Sequence, residues 1–580
     1  MIKKVYFFQL TLLMLLLFIL FQITSTSITF NDLINSFQSN GNNLEKNNSM
    51  NSRNVNNSDS VLLITGDNES KVKYIEEELL YLHKDYREEK SLLALTDEEL
   101  KNTEVIILAS YNISDAYNLE TVQKCMNKGI NIIMAIVPGE IELDKDWCSF
   151  LGIKTLNGGL NQEGISIFSD FLIGGKHDYP KLKLDIQNIK VLSNCKTYIA
   201  GFPKDNNGEE SSGDIPDILW RNVYSGSQIY VVNGSFFDNG NGIGIICSIF
   251  SQMYEDFIYP VINAKALLVN NAPYLSNENG NEMQKRYARN SQRFLEDIVL
   301  PDIIALCMST KNVPTFYAVS SLDGESTYGN ELNTPVLSIV NGELKKIGGE
   351  MGISVFDRTD INVEEKTTEA INLFKNQLGS DYEFNSLYFK NHDNLNDTLV
   401  NSVNKLTTVH SLVSPWDEGT TFSHYNRDVI NIPVITEGFT YNDEDLFKLH
   451  SLSTALGVII QGIDMNDIVY PESNSYDWTN AYVDLTSATD TYLAGYKYLD
   501  GLNITGVESR VSRFLDSKPN IIQENNSIKI SIYNFQEEVF FILRTNKKVA
   551  DINNGNAERI EDNAYLISAN GADVTITLKE

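Results

Sequence analysis

From Ala266 to Ile460, short apolar runs alternate with longer amphipathic stretches, and no other feature narrows the fold as much. The runs read as strands at Ala266–Val269, Thr315–Val319, Gly352–Phe356, Ser386–Phe389, Thr407–Leu412, Pro433–Ile435 and Val458–Ile460, with Val336–Val340 strand-like as well. Helical spacing falls between them at Met283–Leu300, Glu364–Gln377, Asn394–Lys405 and Glu444–Leu456. Apolar strands each followed by a helix are the pattern of a parallel sheet covered on both faces, and a long series of such units closes into a barrel. The barrel is expected over 263–515, with Tyr476–Leu499 and Glu508–Phe514 helical near its end.

A chain of 580 residues exceeds what one core supports, and further units flank the barrel. Val61–Ile64, Lys71–Leu82, Val105–Leu108, Leu119–Asn127 and Ile130–Ile136 form an earlier strand–helix alternation, and strands are expected after Gly158 at Lys190–Gly201, Ile218–Tyr224 and Gln228–Asn233. The region 61–262 resembles flavodoxin-like and amidotransferase-like α/β domains. Thr65-Gly66-Asp67 follows the first strand without GxGxxG spacing or a phosphate-loop lysine, so it reads as a plain turn. Cys125 and Cys148 lie outside any nucleophile elbow, which makes this unit non-catalytic. From Ile521 the runs become short, with Asn554-Gly555 and Asn570-Gly571 as turn signals, and 516–580 reads as a β-sandwich. The expected fold class is α/β: a flavodoxin-like domain, a (β/α) barrel and a small C-terminal β-sandwich.

Lys3 and Lys4 precede the unbroken apolar run Leu12–Phe21, the order of an export signal. Residues 1–30 are expected to serve as an uncleaved signal anchor, with Ser25 and Ser27 offering a cleavage site if it is removed, and the Asn/Ser-rich 31–60 as a disordered linker. The protein is thus placed outside the cytoplasm, held at the membrane by its N-terminal segment. Five scattered cysteines give neither a disulfide framework nor a zinc ribbon. A net charge of −31 opposes nucleic acid as a partner and favours a cationic polymer, although solubility alone also accounts for it.

Val269-Asn270-Asn271-Ala272-Pro273 resembles the Phe-Asp-Asp-Gly-Pro signature of NodB-type polysaccharide deacetylases, with both acids replaced by amides. Val313-Pro314-Thr315-Phe316-Tyr317 resembles that family's Thr-Phe-Phe strand, and Gly348 to Ser354 resembles its Gly-His-Glu-Ile-Gly-x-His segment. The order of parts is similar to an uncharacterised bacterial family related to PelA-type exopolysaccharide proteins, and the barrel would then be a degenerate NodB-like one. The resemblance implies a divalent metal held by a carboxylate and two imidazoles, with a second carboxylate as base. Asn270 and Asn271 stand at the acid positions, Ser354 and Arg358 at the imidazole positions, and Ile463 at the late histidine. An amide neither takes a proton near neutral pH nor supplies ligand charge, and a guanidinium repels a metal. No metal, cofactor or catalytic residue is therefore expected at those positions.

What remains is a groove suited to a sugar chain. Tyr274, Phe356, Trp416, Phe439 and Trp478 are candidates for stacking on sugar rings, and Asn270 and Asn271 for hydrogen bonds to hydroxyl or acetamido groups, although each aromatic is also an ordinary core residue. Two active-enzyme readings compete. One relocates the site to His410, Asp417 and His424, against the ordinary reading of strand-end and loop histidines. The other is glycoside hydrolysis by carboxylates beyond strand ends, among Asp357, Asp360, Glu437 and Asp464. The expected function is a pseudo-deacetylase that binds or guides a cationic amino-sugar exopolysaccharide during biofilm matrix assembly or export. An active deacetylase or glycosidase is the alternative. A structural partner of membrane-embedded synthase subunits is the third reading.

Overall fold

The computed structural model describes residues 53–579 apart from 55–59, 67–68, 140–141, 169, 203–214, 274–278, 320–333, 356–361, 391–395, 417–420 and 470–475. The expected export segment lies outside the described residues, and among these no helix is long and apolar enough to cross a membrane.

The first unit is built on a nine-stranded sheet. Its parallel half runs Arg87–Glu89, Val61–Ile64, Val105–Leu108, Asn131–Met134 and Ser227–Val232. The strand leaves the first position, pairs on one side, then crosses to the other, which is the flavodoxin-like order. Beyond Ser227–Val232 the sheet turns antiparallel through Asp217–Tyr224 and Lys196–Gly201 and ends in a long hairpin, Ile153–Ile167 with His177–Val191. Only the tail of that hairpin was expected, although Leu182, Leu184 and Ile186 alternate with polar residues along its outer strand and are buried.

Parallel strands form the second unit: β1 (Ala264–Asn270), β2 (Pro314–Ala318), β3 (Glu350–Ser354), β4 (Ser386–Tyr388), β5 (Ser411–Pro415), β6 (Ile430–Val434), β7 (Thr436–Glu437) and β8 (Val458–Asp464). Each of β1 to β5 pairs with the next, and β8 pairs with both β1 and β7. Ile435 alone separates β6 from β7, and its N–H donates to Ile460 O at 2.9 Å. The sheet therefore curls until its two ends meet at Ile435.

Side chains alternate across this wall. Leu267, Val269, Phe316, Met351 and Ile353 join the core made with outer helices, while Ala266, Leu268, Tyr317, Tyr388 and Val434 face the interior. Val336–Val340, expected as strand-like, lies in the helix Thr334–Lys346. Val336, Leu337, Val340 and Leu344 recur at helical spacing and bury one face against the barrel wall, which decides between the two periods. Thr407–Leu412 was expected as a strand, but β5 begins only at Ser411. Thr407 Oγ accepts from Phe384 N at 2.7 Å, so these residues form the turn that enters the strand.

Two facing sheets close the chain. One holds Arg53–Asn54, Lys518–Glu524, Ser527–Tyr533, Asp573–Lys579 and Lys548–Asn553, and the other Asp256–Val261, Val539–Thr545, Ala564–Ala569 and Gly555–Glu561. Ile258, Ile530, Phe541, Ile567 and Ile576 fill the space between them. The sandwich thus takes strands from before the barrel as well as from 516–580. The helix Glu69–Tyr81 of the first unit presents Glu78 to the N-terminus of Ile245–Met253, where Oε1 accepts from Cys247 N at 2.7 Å.

Candidate functional site

The carboxyl ends of the barrel strands gather polar side chains that the chain's alternation turns inward. In register, Asn270 lies beside Asp464, and Glu437 beside Gly462. Gly462 leaves room there: a Cβ on it would lie 3.7 Å from Asn270 Nδ2 and 3.8 Å from Glu437 Cγ. Asn270 is 1 % exposed, and its Oδ1 has no hydrogen-bond partner among the described residues. Asn271 follows with φ 54°, a left-handed conformation that asparagine tolerates better than most residues. Its Nδ2 donates to Asp464 Oδ1 at 2.8 Å, and Asn466 N donates to the same oxygen at 2.8 Å.

Across the mouth, Tyr388 Oη donates to Glu437 Oε1 at 2.8 Å, and the Tyr388 ring lies 5.5 Å from that of Tyr317. The Glu437 side chain reaches solvent, yet the wall around its carboxyl removes enough water to raise its pKa. The charge of Asp464 raises it further, while Tyr388 and Lys390 pull it back. Burial raises the Tyr388 phenol too, and the Glu437 charge adds to that. Asp467, beside this group, is raised chiefly by burial and then by Asp464. The mouth therefore offers a carboxyl whose pKa is raised, a second acid, Asp464, tied by two N–H donors, and a buried amide carbonyl without a partner among the described residues.

Several expected positions are elsewhere. Ser354 ends β3 and is buried with the inward-facing set. Ile463 points outward into the core with Val269, so the group at the mouth is its neighbour Asp464. A slip of one residue along a strand exchanges the two faces. Phe439 and Trp478 are corrections to the sugar-stacking set: both are buried, their rings meet at 6.2 Å, and Trp478 Nε1 donates to Asp302 Oδ2 at 2.8 Å. Trp416 leans on the first unit, where a Cβ on Gly240 would lie 2.7 Å from its Cζ2. Tyr274, Phe356, Asp357, Arg358, Asp360 and Asp417 lie outside the described residues.

The relocated histidine cluster does not assemble at the mouth. His410 precedes β5 at the amino end of the wall, and His424 Nε2 lies 3.2 Å from Asp516 Oδ1 on the same side. Among the described residues no three His, Cys, Asp or Glu side chains converge as a metal would require. Asn270, Asn271 and Ser354 supply neither charge nor imidazole, so the donor set of a metal-dependent deacetylase does not fit them. Tyr388, Lys390 and Asp467 escaped sequence reasoning because no motif contains them. The inward parity of Ser386 and Tyr388 was the only available signal.

A family model matches residues 181–566, about two thirds of the chain. The chain belongs to DUF2194. That family is described as uncharacterised proteins conserved in bacteria. No curated protein matches the sequence. Among solved structures, Agd3, a novel carbohydrate deacetylase, is similar at 11% identity and TM-score 0.49, covering 90% of this chain and 99% of that one. A candidate glycoside hydrolase/deacetylase from Parabacteroides distasonis is similar at 12% identity and TM-score 0.28, covering 49% of this chain and 82% of that one. A ThuA-like protein from Bacteroides uniformis is similar at 11% identity and TM-score 0.26, over 34% of this chain and 93% of that one. The DUF2194 match spans the end of the first unit, the whole barrel and most of the sandwich.

Proposed function

We propose that this DUF2194 protein is an extracytoplasmic glycan-binding protein whose NodB-like barrel has lost deacetylase chemistry and holds an amino-sugar exopolysaccharide without turning it over. One observation carries this reading. Asn270 and Asn271, which the resemblance to NodB-type deacetylases sets at the acid positions, present a buried carbonyl without a partner among the described residues and an amide committed to Asp464. A buried acceptor without a donor is costly, and a ligand hydroxyl, amide N–H or ammonium would satisfy it. Glu437 and Asp464 extend the same surface toward a polymer carrying ammonium groups. N-terminal tethering and contact with membrane-embedded synthase subunits belong to the same proposal.

The test is equilibrium binding of the full chain to partly deacetylated hexosamine oligomers, with retention on a chitosan-like matrix as salt is raised. Saturable, salt-sensitive binding supports the reading. Absence of both would remove it.

A second reading has its own support. Glu437, with its raised carboxyl, is suited to protonate a leaving oxygen, and Asp464 lies on the adjacent strand two residues beyond Gly462, the register partner of Glu437. Those are the two roles of a glycosidase. New reducing ends released from an oligomer, and lost in Glu437→Gln, would favour it.

A further inference from the structure

A cleft of about 510 Å³ opens on the first unit, far along the chain from the barrel mouth. It lies at the carboxyl ends of Val105–Leu108, Asn131–Met134 and Ser227–Val232, where open α/β sheets bind ligands. Its volume is within the range of roughly 300–1,000 Å³ common to small-molecule sites. The long hairpin forms one wall, through Leu160, Asn161, Asp185 and Gln187. Asn233 fixes that wall to the sheet: Gln187 N donates to its Oδ1 at 2.8 Å, and its Nδ2 donates to the carbonyls of Gln187 and Asp217 at 2.8 and 3.0 Å. Asp185 is held likewise, with its N–H on Ser235 Oγ at 3.1 Å and its Oδ1 accepting from Asn161 Nδ2 at 2.7 Å. The cleft is therefore formed before any ligand arrives.

Its chemistry excludes the usual occupant of this position. Among the described residues the lining contains the acids Asp185 and Asp238 and no Lys, Arg or His, so a phosphate or nucleotide would meet like charge. Thr65-Gly66, at the end of the first strand, offers no phosphate loop. Tyr111 and Leu160, 41% and 38% exposed, present apolar surface to the same opening. An exposed aromatic ring beside carboxylates and side-chain amides suits a ligand with an apolar ring face, many hydroxyls and a positive charge.

We infer that this cleft is a second binding site, for a hexosamine unit carrying a free ammonium, so that one polymer contacts the protein at two places. The choice of ligand rests on the function proposed above, while the existence of the site rests on the cleft itself. Two weak sites on one chain raise overall retention through effective concentration.

The test titrates the full chain with a glucosamine trimer, an N-acetylglucosamine trimer and ATP, using calorimetry to count sites. Two sites for the glucosamine trimer are expected. Asp185→Asn with Asp238→Asn should weaken one of them about ten- to a hundredfold, and Tyr111→Ala should weaken the same one, with the thermal melting curve unchanged. Glu437→Gln should leave that site intact. A single site that survives both cleft variants would overturn this inference and leave the barrel reading standing. Binding lost only in the cleft variants would overturn the barrel reading and leave this one. ATP bound in the cleft would overturn the assignment of its ligand.

Discussion

Two amides and two acids, Asn270, Asn271, Glu437 and Asp464, stand together at the carboxyl ends of the barrel strands. Asn270→Asp would place a further carboxylate beside Glu437 and Asp464 in a position 1 % exposed. We expect a loss of about 1–3 kcal/mol in urea-induced unfolding at pH 7, shrinking as the pH falls and the new acid is protonated. Unchanged stability would mean that the site is wetter than described. Asn271→Ala removes one of the two donors to Asp464 and should cost about 1–2 kcal/mol in the same assay. The two amides were legible in the sequence because a motif contains them in fixed order. The late position was misread as Ile463, since a motif with one anchor leaves strand parity undetermined and the inward residue is Asp464. Phe439 and Trp478 were open in the sequence to either role, core or sugar contact, and the helices packed above them decide for core.

At the scale of elements, the strand–helix alternation was readable because buried parallel strands are continuous apolar runs. Thr334–Lys346 was misread because its few β-branched residues outweighed a helical spacing visible only over a longer window. The polar edge strands Lys548–Asn553 and Gly555–Glu561 carry only a weak apolar signal, from Val549, Ile552 and Ala557. One contact between elements sets a pH dependence. Glu78 is fully buried at the N-terminus of Ile245–Met253, its Oε2 has no hydrogen-bond partner among the described residues, and burial pushes its carboxyl up to about 8. The folded state therefore holds this proton where the unfolded chain, at the ordinary value of 4.5, releases it. Stability from this group is complete below pH 4.5 and is lost as the pH rises toward about 8. Melting curves of Glu78→Gln across that range should be flatter than those of the native protein by a few kcal/mol, about 1.4 per pH unit of displacement. Parallel curves would contradict the contact. His83 and His177 act in the opposite sense, since burial pushes both down to about 4. The stability they contribute as neutral rings is lost as the pH falls from 6.5 to that value.

For the molecule as a whole, three units share their cores and strands, so the barrel mouth and the cleft are held on one body rather than on separate modules. The net charge of −31 gives that body a field that attracts a polycation at low salt. Retention on a partly deacetylated hexosamine polymer should fall steeply between about 0.05 and 0.5 M salt, as the screening length shrinks from roughly 14 to 4 Å. Retention that ignores salt would leave charge without a role. Length and strand–helix alternation carried the expectation of several units. The strands exchanged between the sandwich and the segments before the barrel were not legible, because pairing between distant segments leaves no local trace. The central claim is occupancy without chemistry, and calorimetry of the full chain with partly deacetylated N-acetylglucosamine oligomers tests it most directly. The account predicts heats that saturate and return to baseline after each injection, with intact oligomer recovered afterwards. A sustained heat flow accompanied by acetate or new reducing ends would contradict it.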